Sequence, residues 1–83
     1  METKEVVVNG KSFTIKELLA VDVEDINWED KKEAVKKQIL LSTGMSETDY
    51  SKLTIKERLA LIKGITELNF GDFQKPNPSS EQN

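Results

Sequence analysis

The chain has 83 residues, which bounds it at one domain with a small core. It contains neither Cys nor His, which excludes disulfides, thiolate and imidazole metal sites, cysteine nucleophiles and the commonest general base. With 15 acidic against 12 basic residues the net charge is -3, a balance that argues against a dedicated nucleic-acid binder.

No apolar run approaches the roughly 20 residues that cross a bilayer, so no membrane partner is expected. Met1-Glu2-Thr3-Lys4-Glu5 lacks the basic-then-apolar pattern of a signal peptide, and a cytoplasmic location is the expectation.

Residues 4–15 predict a β-hairpin. Asn9-Gly10 tolerates positive φ at both central positions of a type I′ turn. That turn sets Val8 opposite Lys11, Val6 opposite Phe13 and Lys4 opposite Ile15. Val6, Val8, Phe13 and Ile15 then share one face, and Val7, Ser12 and Thr14 the other. A hairpin alone is barely stable in water, so helices must cover the apolar face.

Thr14-Ile15-Lys16-Glu17 has capping-box spacing, with Phe13 and Leu18 at the staple positions, and predicts a short helix to about Val21. The acidic stretch Asp22, Glu24, Asp25, Glu29 and Asp30 reads as a loop leading into the next helix. That helix is expected from Asn27 or Trp28 to just before Gly44. Its stripe is Trp28, Val35 and Ile39, widened by Ala34 and Leu41. Early acids and later lysines suit its dipole, and Gly44 suits a left-handed C-terminal residue. Ser46-Glu47-Thr48-Asp49 offers a cap for one short turn carrying Tyr50 and Leu53.

Thr54-Ile55-Lys56-Glu57 repeats the capping pattern and opens the clearest helix. On a helical wheel Ile55, Leu59, Leu61, Ile62, Ile65 and Leu68 fill one half. Lys56, Glu57, Ala60, Lys63 and Glu67 fill the other, Gly64 falls with them, and Arg58 interrupts the apolar half. From Gly71 the composition turns to Pro, Ser and polar residues. The fold class expected is therefore α+β: a hairpin, then three to four short amphipathic helices, in one domain over 1–70 with a disordered tail over 71–83.

No residue pattern carries catalysis. The acidic stretch lacks the alternating ligands and central Gly of a calcium loop, and reads as a solvated loop or as a face for a basic partner. Lys31, Lys32, Lys36 and Lys37 are interleaved with Glu29, Asp30 and Glu33, which cancels much of their field. Gly10 and Gly44 are too far apart for a phosphate loop, and the last helix is poorly charged for a DNA-recognition helix. No cofactor is expected. Trp28 suits either the core or a partner anchor. Arg58 either snorkels at the core edge or marks a docking face. Phe70 and Phe73 either pack back on the core or form a sticky segment.

The order Val6-Val7-Val8-Asn9-Gly10-Lys11-Ser12-Phe13, then Leu40-Leu41-Ser42-Thr43-Gly44-Met45-Ser46, then Tyr50-Ser51-Lys52-Leu53-Thr54 and an amphipathic helix is similar to small tail assembly chaperones and baseplate-assembly proteins of tailed bacteriophages. The resemblance spans roughly residues 5–70. It implies a non-enzymatic protein that binds a hydrophobic segment of a phage structural protein until assembly, in the host cytoplasm. The contact surface it implies is the apolar side of the last helix: Arg58, Leu59 and Ile62, with Phe70 and Phe73. The rival expectation is a small inhibitor or adaptor that presents Asp22, Glu24, Asp25, Glu29 and Asp30 to a basic host surface. An enzyme would require paired carboxylates converging in a pocket.

Overall fold

The computed structural model describes residues 1–74, with side chains through Gly71. Two strands, β1 (Thr3–Val8) and β2 (Lys11–Lys16), form an antiparallel hairpin, and four helices follow: α1 (Ala20–Glu24), α2 (Lys31–Thr43), α3 (Glu47–Ser51) and α4 (Ile55–Gln74). The class is α+β. The register pairs Val8 with Lys11, Val6 with Phe13 and Lys4 with Ile15, as the Asn9-Gly10 turn requires. Both turn residues hold positive φ, 53° at Asn9 and 77° at Gly10.

Val6, Val8 and Ile15 are buried, and Val7 faces solvent. The core gathers Val6, Ile15, Ile39, Tyr50, Leu61 and Ile65, with Phe13, Leu18, Val35 and Leu68 packed around it. Thus α2 and α4 cover the apolar face of the hairpin, the arrangement that a two-stranded sheet needs for stability.

The short helix expected after Thr14 does not form there. Strand pairing continues through Lys16, and Glu17 N–H extends the ladder to the Glu2 carbonyl. The Thr14 hydroxyl bonds the Glu5 carboxylate across the sheet instead of capping a helix. The ladder satisfies more main-chain groups than one isolated turn would, and so it wins. Helical structure starts later, at α1, which overlaps the expected helix at Ala20 and Val21 and runs on to Glu24 in the stretch expected to be a loop.

Trp28 does not belong to the helix that the sequence suggests for it. It lies before α2, which begins at Lys31 behind an Asp30 cap whose carboxylate accepts from Glu33 N–H. Trp28 is therefore not part of the α2 stripe. It is 49% exposed, and its indole N–H donates to the Val23 carbonyl at 3.2 Å. Ile26 takes the buried place in this segment.

Gly44 ends α2 in the left-handed conformation, φ 75°. Ser46 caps α3 by accepting from Asp49 N–H. In α2 the Ser42 hydroxyl accepts from Lys16 N–H at 3.2 Å and donates to the Lys16 carbonyl at 2.7 Å. One buried hydroxyl thus satisfies both outward main-chain groups of the last β2 residue and ties α2 to the hairpin. The helix α4 continues through Gly71 to Gln74, and residues 75–83 of the expected tail lie outside the described residues.

Candidate functional site

The helix α4 opens with a complete capping box. Thr54 N–H donates to the Glu57 carboxylate at 2.8 Å, and Glu57 N–H donates to the Thr54 hydroxyl at 3.1 Å. Glu57 is only 2% exposed, and Lys11 Nζ lies 3.3 Å from its second oxygen. The Thr54 N–H bond holds the Glu57 carboxyl below the ordinary glutamate range. Burial opposes that shift, and Lys11 adds to it. The capping box therefore turns an acid into an inward-facing group that links α4 to the hairpin turn.

Glu57 lies on the buried stripe of the helix. Glu57, Leu61, Gly64 and Ile65 are buried, and half-buried Leu68 continues the same stripe. At about 100° per residue this stripe lies roughly a quarter turn from the centre of the apolar half drawn from hydropathy. Gly64, expected on the polar side, is pressed against the hairpin. A Cβ there would meet Val6 Cγ2 at 2.7 Å and Ile15 Cδ1 at 3.1 Å.

The rotation leaves a second apolar stripe in solvent. Ile55 is 78% exposed and Leu59 65%. Ile62 and Thr66 are half-buried, and Phe70 is 37% exposed. Successive spacings of four, three, four and four residues put Ile55, Leu59, Ile62, Thr66 and Phe70 in one continuous line along the helix. Phe73 follows in sequence, but its side chain lies outside the described residues. Lys56 and Lys63 run along one edge of the line and are exposed. Neither makes an ion pair among the described residues. Their spacing of seven was visible in the sequence, but only the rotation of α4 reveals that they border an exposed apolar face.

On the other edge, Arg58 stacks its guanidinium 4.3 Å from the centroid of the Tyr50 ring and donates to the Tyr50 carbonyl at 3.4 Å. Its aliphatic stem and guanidinium fill the seam between α3 and α4, with Nε buried, and the residue borders the exposed stripe.

The acidic candidates lie elsewhere. Asp22, Glu24, Asp25, Glu29 and Asp30 span α1 and the segment before α2. Asp22 is half-buried and the other four are exposed. Leu19, Val21 and Trp28 are exposed in the same segment. Asp30 is already engaged as the α2 cap. Among the lysines, Lys36 pairs with Glu47 at 2.8 Å. That bond raises the Lys36 pKa and lowers that of Glu47.

Sequence reasoning missed a groove of about 460 Å³ between β2 and α3, lined by Phe13, Met45, Leu53, Lys11 and Lys52 among others. No three acidic side chains gather as metal ligands among the described residues. No helix among them is long and apolar enough to cross a membrane. Comparison of the chain with protein families, with curated proteins and with solved structures finds no match in any of the three.

Proposed function

We propose that this chain is a non-enzymatic binding protein of the cytoplasm that holds an apolar segment of another protein against the exposed face of α4. The partner is a tail or baseplate component of a phage, as the resemblance in element order implies, and the role is that of an assembly chaperone. The observation that carries the binding role is the exposure of Ile55 and Leu59 on a helix whose opposite stripe already fills the core. Large apolar side chains aligned in solvent are the mark of an interaction surface. A photo-crosslinking residue at position 59 should trap a partner in native cells, and the same residue at exposed position 7 on the hairpin should not. Equal trapping at both positions, or none at 59, rejects the proposal.

A second reading rests on exposed Trp28 amid Asp22, Glu24, Asp25, Glu29 and Asp30: an adaptor that presents this segment to a basic surface of a host protein. Its binding would weaken steeply as salt rises. Trapping from position 28 rather than 59, lost at high salt, would favour it.

A further inference from the structure

We infer that the segment received by α4 is an amphipathic helix with acidic edges; this rests on the binding role proposed above. The shape of the site comes from spacing. Ile55, Leu59, Ile62 and Thr66 alternate steps of four and three, the period at which one helix lays its side chains between those of another. A helix face of this period, exposed at Ile55 and Leu59 and half-buried at Ile62 and Thr66, fits a second helix.

The charge of the site selects among helices. Lys56 and Lys63 line one edge in solvent; Arg58, half-buried against Tyr50, stands on the other, where Glu33 and the Lys36–Glu47 pair share its pocket. The nearest acids on α4 are already neutralised: Glu57 is buried against Thr54 and Lys11, and Glu67 is paired with Lys4 at 2.7 Å. An acidic chain thus turns a cationic edge, Lys56 and Lys63, toward its exposed apolar line. A second copy of α4 would set Lys56 and Lys63 against Arg58 in a parallel pair, or against each other in an antiparallel pair. Like charges on both edges disfavour self-association and favour a partner that carries Glu or Asp at those edges.

The test uses the full chain and two synthetic helical peptides of about three heptads, each with Leu at the two seam positions. One carries Glu at the flanking positions and the other Lys. Calorimetric titration at low salt should give binding about tenfold tighter for the Glu peptide, a preference that shrinks as salt rises. The double variant Lys56→Glu/Lys63→Glu alters only exposed side chains. It should keep its thermal midpoint and reverse the preference. Equal binding of both peptides, lost in Leu59→Asp, would overturn the acidic-edge inference while leaving α4 as the binding face. Failure of both peptides to bind would overturn the inference of a helical partner, and the photo-crosslink at position 59 would still decide the binding role. Concentration-dependent dimerisation of the chain, abolished by Leu59→Asp, would overturn it in favour of a second copy.

Discussion

Gly64 of α4 and Val6 of β1 meet so closely that a Cβ on the glycine would lie 2.7 Å from Val6 Cγ2. The missing side chain brings the helix axis down onto the hairpin. Substituting Gly64→Ala would raise helix propensity by about 1 kcal/mol. It would also force a methyl group against a stiff, buried, β-branched neighbour, which costs about 1–3 kcal/mol. The expected net result is a destabilisation of about 1 kcal/mol by urea unfolding. In a double-mutant cycle with Val6→Ala, part of the loss should be recovered. A stabilised Gly64→Ala variant would mean that α4 sits farther from the hairpin.

The two stripes of α4 should separate cleanly in stability measurements. Leu61 is fully buried, so Leu61→Ala should cost about 2–5 kcal/mol. Leu59→Ser and Ile55→Ser should change unfolding free energy by no more than about 0.5 kcal/mol, because both residues stay mostly in water on folding. A large loss at Leu59 would show that this stripe belongs to the core.

Ser42 carries both outward main-chain groups of Lys16. Ser42→Ala leaves a donor and an acceptor without partners at a buried seam and should cost about 1–3 kcal/mol. Amide exchange at Lys16 should accelerate more than at Phe13, whose amide belongs to the strand ladder. Unchanged protection at Lys16 would count against the role assigned to Ser42.

Acid should weaken the fold through Glu57, Glu67 and Glu47, all held below their ordinary value by hydrogen-bonded partners. A lowered folded-state pKa means that the unfolded chain takes up protons first. The stabilisation is full above the ordinary glutamate value of about 4.3 and is lost as pH falls through the lower folded values. Glu57→Gln keeps an acceptor for Thr54 N–H but no longer titrates. Its thermal midpoint should fall less steeply than that of the wild type between about pH 5 and pH 3. Parallel curves would show that Glu57 does not contribute.

The hairpin was legible because Asn9-Gly10 admits few other turns, and its register follows from that dipeptide alone. The caps at Ser46 and Thr54 and the left-handed stop at Gly44 were legible for the same reason: each is a local rule with a specific residue type. The rotation of α4 was not. Hydropathy counts Glu57 as polar and Gly64 as featureless, yet the first is buried because Thr54 and Lys11 satisfy its charge. The second is buried because it has no side chain to obstruct the sheet. The capping pattern at Thr14 fails where a competing strand claims the same residues, and the spacing of Trp28 with Val35 and Ile39 does not reveal that α2 starts three residues later, behind the Asp30 cap. Leu59 and Ile62 were legible as apolar residues on one side of α4, Phe70 only as an apolar residue at the edge of the expected tail, and the cationic edge of Lys56 and Lys63 only with the rotation of the helix.

The most direct test of the α4 binding face is methyl NMR of the full chain titrated with an amphipathic helical peptide whose flanking positions carry uncharged Gln. The account predicts that methyl resonances of Ile55, Leu59 and Ile62 shift on titration, while those of Val6, Ile15 and Leu61 stay in place. Shifts centred on Met45 and Leu53 in the β2–α3 groove, with Ile55, Leu59 and Ile62 unmoved, would contradict it.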